Sequence, residues 1–537
     1  MTNGAADAPV SPVLPARRGL AGNTAIFSIA TGLSRLAGLV REIVASSFFG
    51  TSGAFSAFTI AFQVPNLVRS LFADAALSAA FVPVFTDLLE QGRRREAFRL
   101  ASTLFFIMLL ALGAVTALFI LGAGLVMPLF TGNAFKGQLN QLTVGLAQVL
   151  FPIVLLLGLN GLLVGVLQSY DHFTIAAISP LVWNGVILVL LIVLRGQFHG
   201  PDQLYAYAVG VLVGTLVQLA MAVAALGRID FRLQLSVDWH DPRIRQVFAL
   251  MLPVTLALGI INFDLLINSS LGTLVSRQAP RAIDAAFRIY MLPQGMFSVA
   301  VATVLFPTLS RMASRRDPAG MRRTLGTGMR QIFLLLIPAA AFTSVLATPI
   351  TRLIYQHGAF DAHSTDQVSL ALFWFSFSLP FAGVNLLLTR TFFAVQRPWI
   401  PTRLAAVNLV VDVVVSVALY RPFGIAGLVI GTAAASAVMT ALQLQRLRAG
   451  FGGRLEGAQT TMIVVRIAVA SALLAGVARL VWLGLDALLG HSLGAQIVSV
   501  GVAAGVGLWV YARAVLAMRV PEAGQVRRLI TARLGRG

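Results

Sequence analysis

The stretch LFPIVLLLGLNGLLVGVLQ, Leu150 to Gln168, runs nineteen residues without one charged side chain. At a rise of about 1.5 Å per residue, a helix of that length nearly crosses the ~30 Å hydrocarbon core of a bilayer. A related stretch, SLPFAGVNLLLTRTFFAVQ (Ser378–Gln396), follows 228 positions later, with Pro152 answered by Pro380 and Gln168 by Gln396. AFSAFTIAFQVP (Ala54–Pro65) and AIDAAFRIYMLP (Ala282–Pro293) share that offset, and Asn184 and Asn408 continue the match after a four-residue deletion. The offset covers an even number of expected spans, so both copies run the same way through the membrane. The expected symmetry is a pseudo-two-fold along the membrane normal.

Composition agrees with a membrane setting. The chain has 537 residues, 58% hydrophobic and 11% charged, with a mean hydropathy of +0.85. Soluble domains carry about a quarter charged residues. Apolar windows between Gly, Pro and charged breaks give about fourteen transmembrane helices, so the fold class is all-α and polytopic. Two six-helix lobes, 23–227 and 228–450, should face a central cavity, with two further helices in 451–520. Residues 1–22 are small, Pro-rich and polar, which suggests a disordered cytoplasmic tail with no signal peptide, and 521–537 reads as a basic cytoplasmic tail.

The net charge of +20 raises the question of nucleic acid, and its distribution answers it. With the N-terminus inside, 27 of the forty basic residues fall on inner segments, and six (Lys136, Arg195, Arg277, Arg281, Arg352 and Arg421) on outer ones. That bias orients a multi-pass protein with both termini in the cytoplasm and needs no nucleic acid. There is no cysteine, hence no disulfide or thiolate chemistry. The single lysine, Lys136, lacks a phosphate-binding glycine loop, and no HExxH is present. The outer stretch QHGAFDAHSTD (Gln356–Asp366) groups His357, Asp361, His363 and Asp366, and reads as a solvated loop more readily than as a metal site.

Seven basic residues remain inside expected spans. Arg390, Arg466 and Arg479 lie toward span ends, where the long side chain reaches the interface. Arg35, Arg41, Arg69 and Arg288 need another account, since an arginine at a helix centre costs ~2.5–3.5 kcal/mol on insertion scales. In SRLAGLVREIV (Ser34–Val44), Glu42 is the only acid in the membrane portions of the first two spans and cannot balance three arginines. A hydrated cationic cavity that takes an anion follows, and the guanidinium fork suits phosphate oxygens. Structural pairing, or loops misread as spans, is the competing account. A second group is acidic: Asp264 and Asn268 lie one helical turn apart, as do Asn408 and Asp412, with Thr432 on the next span. These oxygens form a candidate site for Na⁺ or H⁺, with interhelical hydrogen bonding as the alternative.

SRLAGLVREIVASSFFG followed by VPNLVRSLFADAALSAAFVPVF resembles the N-terminal signature of the MurJ/MviN lipid II flippases of the MOP exporter superfamily. LIYQHGAFDAHST, RIYMLPQGMFSVAVATVLFPTLSR and FGIAGLVIGTAAAS resemble later segments, so the likeness spans residues 23–518. The resemblance implies a fourteen-helix transporter, not an enzyme, in the bacterial cytoplasmic membrane. It would carry undecaprenyl-diphosphate-linked peptidoglycan precursor from the inner to the outer leaflet without a resident cofactor. Its partners would be that lipid-linked glycan diphosphate, membrane lipid and other cell-wall synthesis proteins. By the same resemblance, Arg35, Arg41, Arg69 and Arg288 engage diphosphate and sugar, with Glu42 beside them. Asn408, Asp412 and Thr432 match a cation-site pattern of some members, whereas Asp264 stands one turn early and Asn268 occupies the place of an acid. Ser56 and Gln63 stand where the family often has charged residues, and Asp284 is the repeat counterpart of Ser56.

Rival readings are a multidrug or cation exporter, a flippase for another polyprenyl-linked oligosaccharide, and a membrane enzyme acting on polyprenyl phosphates. An exporter of cations wants acidic and aromatic cavity walls. An enzyme wants a carboxylate or histidine cluster at the membrane surface.

Overall fold

The structure is a computed structural model that describes residues 17–72, 75–170, 172–229, 231–234, 238, 241–451 and 457–524, with most side chains placed from Ala30 onward. The described residues form helices and no strands. The first half holds α1 (Arg17–Phe49), α2 (Gly53–Phe72), α3 (Ala75–Glu90), α4 (Arg94–Val126), α5 (Gln138–Leu150), α6 (Ile153–Ser169), α7 (Thr174–Leu194) and α8 (Leu204–Leu226). The second holds α9 (Pro242–Val275), α10 (Ala279–Pro293), α11 (Val299–Ser314), α12 (Pro318–Val345), α13 (Ala347–Tyr355), α14 (Ala362–Ala394), α15 (Trp399–Phe423) and α16 (Ile425–Gly450). Two more helices close the chain, α17 (Gly457–Leu489) and α18 (Leu493–Ala517).

Eleven helical stretches among the described residues are long and apolar enough to cross a membrane. The expected first, second and seventh spans are helical but lie outside those eleven. They are the stretches that carry Arg35, Arg41, Glu42, Arg69, Asp264 and Asn268. Local breaks follow the sequence. Pro152 separates α5 from α6, and a π-helical turn, Gln294–Ser298, follows Pro293 between α10 and α11. Asp241, Asp317 and Asp361 cap α9, α12 and α14, accepting from the backbone N–H of Arg243, Gly320 and Ser364 at 2.8–2.9 Å.

The packing repeats with the sequence. In the first half α1 packs on α7, α7 on α8, and α6 on α8; in the second α9 packs on α15, α15 on α16, and α14 on α16. The largest apolar core runs from Ala45 to Phe231 and takes in Ile244, Val247, Met251 and Leu266 of α9, so α9 is also packed against the first half. Among the described residues, α1–α8 meet the second half along α9, and meet α10 and α13 at the end of the bundle that carries Gly50.

Both expected tails need correction. The chain is already helical at Arg17, inside the expected tail; residues 1–16 lie outside the described set. After α18 the chain turns back rather than leaving as a tail. Glu522 is buried in an ion pair with Arg330 of α12, 2.5 Å away, and Val520 and Ala523 pack with Leu334, Ile463 and Ile467. Arg330 supplies the counter-charge that lets an acid of the expected tail enter the protein. Residues 525–537 lie outside the described set.

The seam at the Gly50 end brings two backbones into contact. Ala359 N–H donates to Ser47 O at 2.7 Å, and the Thr51 and Ser364 hydroxyls are 2.8 Å apart. Gly358 has φ +61°, and a Cβ there would lie 2.3 Å from Ser47 O. Gly358→Ala should therefore lower stability by ~1–3 kcal/mol, read as a lower unfolding midpoint of the purified protein. An unchanged midpoint would mean that the seam yields without cost.

Candidate functional site

The arginines do not stand alone. Arg281 is 1% exposed and Glu42 is 2% exposed. Arg281 lies on α10, where its guanidinium donates to Glu42, to Ser46 Oγ at 2.8 Å and to Asp284 Oδ2 at 2.8 Å. Its plane lies over the Phe55 ring at 3.9 Å, and its backbone N–H donates to Ser56 Oγ at 3.2 Å. Arg288, two turns further along α10, donates from Nε to Asp284 Oδ2 at 2.9 Å and places Nη1 3.4 Å from Glu42 Oε2. Two carboxylates and two guanidiniums thus form one neutral quartet between α1 and α10.

This corrects two expectations. Arg281 belongs to the interior and not to an outer loop. Glu42 does not stand as the lone acid, because Asp284 joins it and both are shared with Arg288. Residues 281, 284 and 288 recur at i, i+3 and i+7, one face of a helix, and that spacing was the signal available in the sequence.

Arg41 differs from Arg288. It is 8% exposed and has no ion pair or hydrogen bond among the described residues, its Nε included. What holds it is aromatic: its guanidinium carbon lies 4.9 Å from the Trp183 ring centroid and 6.0 Å from that of Tyr207. Trp183 is fixed by donating to Thr215 Oγ1 at 3.0 Å, and Tyr207 stacks on Phe58 at 4.4 Å. Arg35 is exposed on α1, beside the π-helical turn, where a Cβ on Gly295 would come within 3.3 Å of its Nη1. Arg69 donates from Nε and Nη2 to Asn66 Oδ1, at 3.1 and 2.9 Å. Asn66 in turn donates to Asn262 of α9 at 3.1 Å, so Arg69 is oriented from the second half of the chain.

The acidic group gathers around one cavity of about 400 Å³. Asp264, Asn268, Asn408 and Thr432 line it, with Asp284 and Gln63 on its wall. Asp412 is buried beside it and accepts from Asn268 Nδ2 at 2.7 Å. The Asn268 amide also reaches Thr432 Oγ1 at 3.5 Å, and Ser416 Oγ lies 3.4 Å from Asp412 Oδ1. The Asp264 and Asp412 carboxyls come within hydrogen-bonding reach of each other, while Asp264 Oδ1 has no partner among the described residues. Two carboxyls that close repel each other when both are charged. All five residues of the candidate cation site therefore converge. Gln63, singled out in the sequence only as a departure from the family pattern, borders both this cavity and the quartet, with Oε1 buried and unpartnered among the described residues.

The histidine-bearing stretch is a loop only as far as Asp361, since His363 and Asp366 lie on α14. Asp361 caps α14, and the Ser364 N–H and hydroxyl hold its carboxyl below the usual carboxylate range. His363 pairs with Gln367 at 2.9 Å, and the described residues contain no group of three metal-ligating side chains.

Repeated helical packing around charged interior clusters defines a polytopic membrane transporter. The fold compares with "Lipid II flippase MurJ, inward closed conformation" at a TM-score of 0.74 and 20% identity, covering 91% of this chain and 99% of that one. It also compares with an inward-facing multidrug resistance MATE family transporter of the MOP superfamily, at 0.69 and 15% identity over 78% and 94% of the two chains. The family model "Lipid II flippase MurJ" matches residues 45–492. Curated relatives include a lipid II flippase MurJ of Burkholderia cenocepacia, 29% identical over 78% of this chain and 82% of its own. A probable lipid II flippase MurJ of Rhizobium meliloti is 30% identical over 74% of each. The chain belongs to the lipid II flippase MurJ family.

Asn268 is the only donor within 3 Å of Asp412 among the described hydrogen bonds. Asn268→Val should cost ~1–3 kcal/mol by leaving that carboxyl without its donor. Adding Asp412→Leu should restore part of the loss, with the unfolding midpoints of the single and double variants as the check.

Proposed function

We propose that this chain is a flippase for lipid-linked peptidoglycan precursor, working by alternating access in the bacterial cytoplasmic membrane. The observation that carries the reading, beside family membership, is Arg41: an interior guanidinium with no ion pair among the described residues, held against Tyr207, which lines one small pocket with Glu42 and Arg288. Cationic groups held in a protein interior stabilise an anion far more than they would in water. The substrate site is Arg35, Arg41, Glu42, Arg69 and Arg288, with the diphosphate on the arginines and the polyprenyl tail left in lipid. The transporter moves its substrate without making or breaking a covalent bond.

The Gly50 end is the outer face, and both termini lie in the cytoplasm, in keeping with the basic bias of the Arg93–Arg95, 228–245 and 311–323 segments. The two lobes, 23–227 and 228–450, exchange sides by rocking about α9. An exporter of organic cations fits less well, because the first-half interior presents guanidiniums where such a substrate needs acids. Arg41→Ala should abolish rescue of a flippase-depleted bacterium at unchanged protein level in the membrane. Arg41→Lys, which keeps the charge and loses the fork, should rescue only partly. Full rescue by both would remove Arg41 from the site.

The second-half cavity is the coupling site, with one Na⁺ or one proton shared by Asp264 and Asp412 and oriented by Asn268, Asn408 and Thr432. If Na⁺ is the ion, replacing KCl by NaCl should raise the unfolding midpoint of the purified protein, and Asp412→Asn should erase the rise. A midpoint indifferent to Na⁺, with transport that follows pH, would assign the site to a proton.

A further inference from the structure

Arg281 is the most deeply buried charge at the seam between the halves, and the reading above gives it no part. We infer that Arg281 is a positioning residue that clasps the Gly50 end shut, and that Arg288 loosens this clasp when it captures an anion. The inference rests on the diphosphate reading for its second clause only.

Arg281 reaches from α10 of the second half to Glu42 and Ser46 of α1 in the first, while it keeps Asp284 on its own helix. No other ion pair among the described residues joins α1 to α10 except that of Arg288 with Glu42. Around it the seam is tight. Besides the Ser47–Ala359 and Thr51–Ser364 contacts, the Gly132 N–H donates to Thr273 Oγ1 at 2.6 Å, and Arg277 Nε donates to Ala134 O at 3.2 Å. Opening this end separates Glu42 from Arg281, which leaves a carboxylate and a guanidinium without partners unless water enters.

Arg288 is placed to decide when that happens. Its side chain is 36% exposed where Arg281 is 1% exposed, so an anion reaches Arg288 first. Arg288 shares both carboxylates with Arg281. When a diphosphate draws the Arg288 guanidinium away, Glu42 loses one of its two cross-seam partners and Arg281 alone must hold both acids. Binding the anion and opening the outer side are then linked through the same two carboxylates, and by linkage the coupling is reciprocal.

The natural chain has no cysteine, so a single introduced thiol is a clean reporter. Thr51→Cys places it in the seam, where Thr51 is 3% exposed. In the full-length protein in lipid nanodiscs, maleimide should label Thr51→Cys slowly. With Arg281→Gln added and no ligand, labelling should accelerate about tenfold or more, a shift of the open population by a similar factor. Arg281→Lys, a point charge that cannot bridge Glu42, Ser46 and Asp284 together, should fall between. Ser46→Ala, which removes one hydroxyl and no charge, should give a smaller acceleration and serves if the Arg281 variants fail to fold. A second reporter, Ser102→Cys near the opposite end, distinguishes opening from unfolding, because only unfolding speeds both. Unchanged Thr51→Cys labelling in folded Arg281→Gln, or in Ser46→Ala where the former does not fold, overturns the clasp. Geranyl diphosphate, but not geraniol, should speed labelling of the otherwise natural protein, and Arg288→Gln should abolish that response. Should the Arg281 variants open the seam while geranyl diphosphate leaves labelling unchanged, the trigger falls and the diphosphate reading of the site is at fault, with the clasp intact.

Discussion

Two carboxylates and two guanidiniums gathered between α1 and α10, with Glu42 and Arg281 removed from water, set the terms for everything around them. An ion leaves water only if partners replace the lost hydration, and the cost of a buried charge left unpaired is several kcal/mol. Glu42 and Arg281 are each almost wholly buried, so neither can lose its partner while the seam is dry. The neighbouring choices follow from that demand. Ser46 supplies an acceptor for the same guanidinium nitrogen, Phe55 offers a ring face to its plane, and Ser56 accepts the Arg281 backbone N–H. The close backbone crossing at Gly50 and Gly358 lies at the same end of the bundle, where side chains would hold the two halves apart.

The internal repeat explains how such a cluster arises in an otherwise symmetric fold. The α10 residues Arg281, Asp284 and Arg288 have Gly53, Ser56 and Ile60 as their counterparts at the common offset of 228. Backbone packing is shared between the halves, while every charge of the quartet on α10 has a neutral counterpart on α2. Duplication accounts for the architecture and divergence of a few side chains accounts for the polarity. Arg35, Arg41 and Arg69 stand on the first-half side, and acids line the second-half cavity.

Much of this was legible in the chain itself. Helical spans in lipid must satisfy their own backbone, so long apolar runs translate directly into helices, and the repeat offset predicted packing that α1–α7–α8 and α9–α15–α16 reproduce. The acidic site was legible because Asp264/Asn268 and Asn408/Asp412 use the i, i+4 spacing that puts two side chains on one face. Arg281 reads as an outer-loop residue because it follows directly on a polar SRQ turn, although its i, i+3, i+7 spacing with Asp284 and Arg288 marks one face of a helix. Asp284 was not recognised as a partner of Glu42, since the two are separated by most of the first half and only tertiary structure brings them together. Glu522 escaped for the same reason: its counter-charge, Arg330, lies in a distant helix and reads as a surface arginine.

Asp284 is the residue that joins the two charged regions. It holds Arg281 and Arg288 by its Oδ2 and also forms part of the wall of the cavity that Asp264 and Asn268 line. A cation placed between Asp264 and Asp412 would add positive charge to the cavity that Asp284 borders. An anion on Arg288 would act on the same carboxylate from the other side. The sign would be cooperative: a cation in the cavity would compensate Asp284 if Arg288 turned to a phosphate. Such a coupling would need no long pathway, because Asp284 borders both charged regions. Its strength depends on how little water reaches Asp284, since screening would divide the interaction by the local dielectric constant.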